Sequence, residues 1–206
     1  MKRVAVVALL ALALAGCAVP GQSLNPGTAY AFNGAEVTNS EVDAVYRAWL
    51  NDTQGAVLPN RLQVMTLDAV REPAKKIALE MTPDAAQLFT AENARFFAEQ
   101  MFNVKQVDGE PSPEVIQSLQ GAVAVAFIAY SDADGSQIER LADELEASIE
   151  GSPRAGDFDR DTFVQSIVSA LESASNQGYP TALGYIEFYR LNGFTAPDGG
   201  VRVVAP

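Results

Sequence analysis

The stretch Ala122-Val123-Ala124-Val125-Ala126-Phe127-Ile128-Ala129-Tyr130 decides the fold. Nine residues without a charge offer almost no polar face, so a helix made of them must be surrounded by protein. Ten residues earlier, Ser112-Pro113-Glu114 has the form of a helix start, a small polar residue followed by proline at the first helical position. The element is therefore a long helix at the buried centre of a helical body. No stretch after residue 17 is apolar for long enough to cross a bilayer.

Working outward, the other helices announce themselves by caps and apolar spacing. Asn33-Gly34 is a two-residue turn between short strand-like flanks. Thr38 and Glu41 then fit a capping box, and Val42, Val45, Trp49 and Leu50 follow at helical spacing, which predicts a helix over 39–51. A second helix starts near Asn60, with Leu62, Met65, Ala69 and Val70 on one face, and Pro73 is expected to kink or divide it. Thr82-Pro83-Asp84 opens a helix carrying Leu88, Phe89, Phe96, Phe97, Met101 and Phe102. Beyond the central helix come an acidic helix over 136–150 and a helix capped by Asp161. A last helical segment covers 181–191, and the strand-like residues 201–204 close the chain. The fold class is mainly α, with a little β at the two ends.

The N-terminus carries a different message. Lys2 and Arg3 precede an unbroken small and apolar run over 4–14. That is the layout of a secretory signal. Eleven residues of helix rise only about 17 Å, short of the roughly 30 Å hydrocarbon core. The run ends Leu14-Ala15-Gly16-Cys17, which matches the bacterial lipobox at all four positions. Small residues at 15 and 16 let a peptidase reach the backbone, and the Cys17 thiol is the one nucleophile in the box able to take up lipid. These features predict a signal peptide over 1–16, a diacylglycerol on Cys17, a flexible tether over 17–29 and one domain over 30–206. The expected location is the extracytoplasmic face of the cell membrane. Cys17 is the only cysteine, so stability must come from a hydrophobic core rather than a disulfide.

Without residues 1–16 the chain holds 12 basic and 26 acidic residues, a net charge of −14. Half of that net charge lies in 132–161, where ten acids face three bases. Nucleic acid is excluded as a partner, since no basic patch exists to displace counterions from phosphate. A solvated helix face accounts for the acids, with a basic partner or divalent cations as the sharper alternatives.

The chain has no histidine. Hydrolase triads lose their usual base and zinc sites lose a common ligand, while Cys17 is committed to lipid. Glycine loops of either phosphate-binding spacing are absent. The expectation is a protein that is not an enzyme and uses no metal or cofactor beyond the covalent lipid. Asp157, Asp159 and Asp161 alternate like the oxygens of a calcium loop, but Thr162 stands where the turn glycine belongs and Val168 where the closing glutamate belongs.

The segment from Tyr30 to about Glu80 resembles the start of SurA-type and PrsA-type exported chaperones. The matching residues are Ala31-Phe32-Asn33-Gly34, Val37-Thr38 and Ser40-Glu41-Val42-Asp43, followed by the apolar spacing of 62–78. A second likeness, to actinobacterial lipoproteins, rests on Phe188-Tyr189-Arg190-Leu191-Asn192 and Pro197-Asp198-Gly199-Gly200. The first resemblance implies chaperone-like binding of non-native polypeptide without catalysis, since a parvulin isomerase domain uses histidines and finds no room here. The second implies that 201–204 pairs with Tyr30, Ala31 and Phe32. Phe89, Phe96, Phe97, Met101 and Phe102 are the candidate polypeptide-binding residues, with burial between two neighbours as the competing account. A structural or assembly lipoprotein, docking one envelope partner through its acidic face, is the alternative function.

Overall fold

The computed structural model describes residues 24–55, 57–102, 111–152, 156–177 and 185–195, with the side chains of 100–102 and 186 left aside. The signal peptide, Cys17 and the strand-like 201–204 lie outside the described residues. The body is mainly helical with one small sheet, as its sequence predicts.

The chain enters through a hairpin, β1 (Thr28–Phe32) and β2 (Ala35–Thr38), turned by Asn33 and Gly34, both with positive φ. The first strand thus starts within the 17–29 segment, and Thr28 and Ala29 are already buried. Helix α1 (Asn39–Thr53) starts on the predicted capping box: Thr38 Oγ1 accepts from the Glu41 N–H, and the Glu41 carboxylate accepts from the Thr38 N–H. Helix α2 (Arg61–Met81) starts on a second box, formed by Asn60 and Gln63.

Of the two outcomes expected at Pro73, a kink or a division, the division does not occur: α2 runs through the proline for 21 residues. An interior proline removes the hydrogen bond to the carbonyl four residues back. Here Val70, Pro73, Ala74, Ile77 and Ala78 are all buried, so packing on both sides of the proline holds the helix together.

The element expected to run unbroken from Pro83 is two. A 3₁₀ helix, Pro83–Phe89, is followed by extended backbone at Thr90 and then by helix α3 (Ala91–Phe102). The Thr90 hydroxyl accepts from the Asn93 N–H at 3.2 Å and so starts the second piece, while Thr82 makes no side-chain cap bond.

Helix α4 (Pro113–Ser131) is the central element, with Val115, Leu119, residues 121–126 and Ile128 buried. Contrary to the expectation that no stretch after residue 17 could cross a bilayer, it is long and apolar enough to do so by length and composition. It is the one such helix among the described residues, but most of that apolar window is buried in the fold. It packs closely on α2, where a Cβ at Gly121 would lie 2.7 Å from the Leu67 carbonyl oxygen. Ser112 does not cap its own helix with its side chain; its N–H and hydroxyl donate to Asp52 Oδ2 at 2.7 and 2.8 Å, tying α4 to α1.

Helix α5 (Ser136–Ser148) takes its start from Asp132, whose Oδ2 accepts from the Gln137 and Ile138 N–H groups at 2.6 and 3.1 Å. It ends sooner than the apolar spacing predicts. Ile149 leaves the helix and opens β3 (Ile149–Gly151), which pairs antiparallel with β1 through Phe32↔Ile149 and Tyr30↔Gly151. The sheet order is β2-β1-β3. Tyr30, Ala31 and Phe32 thus have neighbours on both edges, β2 and β3, so the expected pairing with 201–204 finds those edges occupied. The second partner of the first strand comes from mid-chain.

Helix α6 (Arg160–Asn176) is capped by Asp159 rather than by Asp161: Asp159 Oδ1 accepts from the Thr162 N–H at 2.6 Å. Asp159 has the extended backbone of a cap residue, whereas Asp161 already lies inside the first turn. Of the last segment, a 3₁₀ helix over Tyr185–Arg190 is described, followed by a return to the core. The Gly193 N–H donates to Thr66 Oγ1 at 2.9 Å, the Asp159 N–H donates to the Gly193 carbonyl, and Phe194 bridges to Phe158.

Candidate functional site

Three elements meet beside the central helix: α3, the C-terminal end of α4 and the 3₁₀ helix Tyr185–Arg190. Helical spacing gives α3 an inner face of Ala94, Phe97 and Ala98, all buried, and an outer face that includes Phe96. Between them the three elements build a ladder of rings. Phe96 meets Phe97 edge-on, centroids 5.8 Å apart. Phe97 stacks on Tyr185 at 5.7 Å, and Tyr185 stacks on Tyr130 at 5.5 Å. Tyr130 tilts against Phe188 at 6.0 Å, and Phe188 is fully buried. These separations are those at which ring quadrupoles attract, so the ladder is a stiff path from solvent into the core.

The candidate residues divide along this path. Phe89 and Phe97 are each 7% exposed and belong to the core, whereas Phe96 is 50% exposed at the outer end of the ladder. The backbone of Met101 and Phe102 lies in the last turn of α3, and their side chains lie outside the described residues. Among the described residues the other large exposed apolar groups are Leu50, Leu79 and Val168, on α1, α2 and α6.

A carboxylate sits under the rings. Glu187 is buried and accepts from Ser173 Oγ and from Gln177 Nε2, each at 2.9 Å. Burial pushes the Tyr130 hydroxyl up from its ordinary value, and the Glu187 charge adds to that. Burial also raises Tyr185, helped by Tyr130. Both hydroxyls therefore stay protonated at neutral pH and remain able to donate a hydrogen bond beside an otherwise apolar surface. Tyr130, Tyr185, Glu187 and Phe188 were not among the residues expected here. Tyr130 at the edge of an otherwise apolar run was the visible sign, since a phenol placed there has a ring to bury and a hydroxyl to expose.

The acidic segment is cross-braced. Arg160 makes ion pairs with Glu139, with Asp143 at 2.7 Å and with Asp161 at 3.2 Å. Arg140 reaches Glu80 at 2.7 Å and Lys76 reaches Glu144 at 3.4 Å, both between α2 and α5. Part of the charge is thus spent on holding α2, α5 and α6 in register. Two of the calcium-like aspartates have other partners, Asp159 in its cap and Asp161 with Arg160, while Asp157 accepts from Thr195 through its backbone carbonyl. Among the described residues no group of three or more acidic or sulfur ligands is arranged to hold a metal ion.

No protein-family model, no curated protein and no solved structure matches this chain.

Proposed function

We propose that this chain is a lipid-anchored lipoprotein of the extracytoplasmic membrane face that binds polypeptide by non-covalent contact and makes no bond. The lipobox at Leu14-Ala15-Gly16-Cys17 supports the anchor. The observation that carries the binding role is Phe96, a half-exposed ring fixed at the outer end of an aromatic ladder with two phenol donors behind it. Aromatic side chains held rigid in this way lose little entropy on binding and are the usual anchors of protein interfaces. The occupant is an apolar segment of a non-native or partner polypeptide. Large exposed apolar groups are few among the described residues, which speaks for one short segment rather than a broad sweep of unfolded chains.

A second reading, docking of a basic envelope partner through 132–161, draws support from the ten acids there. Salt separates the two, because apolar contact strengthens and charge contact weakens as the Debye length falls from about 10 Å to 3 Å between 0.1 and 1 M. The test is suppression of aggregation of an unfolded model protein at both salt concentrations, with wild type and Phe96→Asp. Suppression that persists in high salt and disappears in the variant upholds the binding role; no suppression at any ratio removes it. For the anchor, Cys17→Ser abolishes labelling by radioactive palmitate, and undiminished labelling refutes the anchor.

A further inference from the structure

A recess opens between β2, α1 and α2, elements that take no part in the aromatic face. Its walls are aliphatic, from Val37, Val42, Val45 and Val64, and its polar groups are the carboxylates of Glu41 and Asp68. The volume is about 170 Å³. Sites that enclose a drug-sized molecule run to about 300–1,000 Å³, so this one has room for a single side chain.

Both carboxylates are held from behind, each by one oxygen. The Tyr30 hydroxyl donates to Asp68 Oδ2 at 2.5 Å, and the Thr38 N–H and hydroxyl both donate to Glu41 Oε2 at 2.7 Å. The second oxygens are little used. Glu41 Oε1 accepts no hydrogen bond among the described residues, and Asp68 Oδ1 is held only by a long ion pair to Arg71 Nη1 at 3.8 Å, beyond hydrogen-bond length. Thr38, through its N–H and then its hydroxyl, also holds the Glu41 carboxyl below the ordinary range, so it is charged at neutral pH. Alongside the recess, β2 is an edge strand, with β1 on one side and no strand on the other among the described residues.

We propose that this recess receives a lysine side chain from an extended polypeptide segment laid along the open edge of β2. A lysine has the matching parts: an unbranched four-carbon stem for the valines and a compact ammonium that two carboxylates from different helices can share. The edge strand supplies backbone partners for the segment carrying it. The body's net charge of −14 after residue 16 favours a basic partner at the encounter. The assignment stands whether or not the aromatic face binds polypeptide, because the two share no residue.

The test is an NMR titration of the full chain after residue 16, with valine methyls labelled, using Nα-acetyl-lysine methylamide. Val37, Val42, Val45 and Val64 methyl signals shift saturably at millimolar concentration, and the uncharged norleucine analogue binds about tenfold more weakly. Asp68→Asn, folded by its spectrum, lowers affinity about tenfold, and Val45→Phe, which fills the recess and spares both carboxylates, abolishes it. A lysine placed between valines and threonines in a blocked pentapeptide binds about tenfold more tightly than the single amino acid. Absence of saturable shifts, an equal response to norleucine, or wild-type binding by Val45→Phe overturns the proposal. Equal affinity of pentapeptide and amino acid removes the role of β2.

Discussion

Replacing Gly121 with alanine tests the packing at the centre of the molecule. The new Cβ would sit 2.7 Å from the Leu67 carbonyl oxygen and 3.4 Å from the Arg71 Cα and Cβ. Bringing the first contact to 3.4 Å requires α2 and α4 to part by about 0.7 Å, and the obstacle is backbone, which cannot swing aside. Parting them loosens the contacts of Leu67, Val70, Leu119 and Ala122, all nearly or fully buried. Overpacking costs about 1–3 kcal/mol, and a contact of 2.7 Å on backbone puts this one in the upper part, about 2–3 kcal/mol. Alanine is intrinsically better than glycine in a helix by about 1 kcal/mol, which offsets part of it. The expected net loss is about 1–2 kcal/mol, or roughly 2–8 °C in melting temperature for a chain of this size. Valine at 121 loses more, and Gly27→Ala, where nothing lies within 4 Å of the added atom, is neutral. Urea unfolding followed by circular dichroism measures all three. An alanine variant as stable as wild type, or more so, refutes the close crossing.

Phe97→Ala lowers unfolding free energy by about 3 kcal/mol while Phe96→Ala changes it by less than about 1, and equal losses in urea titrations contradict the split between core and surface on α3. Asp159→Ala costs about 1 kcal/mol at pH 7 through the lost cap of α6, whereas Asp159→Asn retains the cap. Because Thr162, through its side chain first, holds the Asp159 carboxyl below its ordinary value, that carboxylate's stabilisation is complete above the unfolded value and is lost as pH falls through the folded one. The asparagine variant therefore shows a flatter loss of stability in acid unfolding than wild type; an identical acid limb contradicts the assignment. Arg160→Ala leaves Glu139, Asp143 and Asp161 without their shared cation, and the deficit, up to about 1 kcal/mol at low salt, shrinks in 1 M sodium chloride. A deficit unchanged by salt means that Arg160 acts by packing of its stem instead.

What could be read from the sequence was local, and what could not was set by distant partners. The capping box of Thr38 and Glu41 and the turn at Asn33-Gly34 involve neighbours only, and both occur where expected. The apolar run around Val125 had nowhere to go but inside, and it is buried. Pro73 does not divide α2 because the residues on both sides of it are buried, which depends on the fold as a whole. Ile149 has the spacing of a helix residue, yet it serves as a strand because the free edge of β1 lies beside it. The same limit applies at the candidate site. Phe89, Phe96 and Phe97 stood out by composition, but only the placement of Tyr130, Tyr185 and Phe188 around them separates the buried rings from the exposed one. Nor does any local pattern in Val37, Glu41, Val64 or Asp68 reveal that β2, α1 and α2 leave a gap between them.

The position of β1 in the middle of its sheet has a mechanical meaning. Under the anchor proposed at Cys17, tension on the chain would fall first on Thr28–Phe32, the first strand among the described residues. That strand is zipped to β2 on one side and to β3 on the other, and the Asn33 N–H is fastened to the Ser148 carbonyl at 2.8 Å. A pull on the chain at residue 24 would thus be spread over two ladders and passed to the end of α5, so the chain enters the fold at a rivet rather than a loose thread.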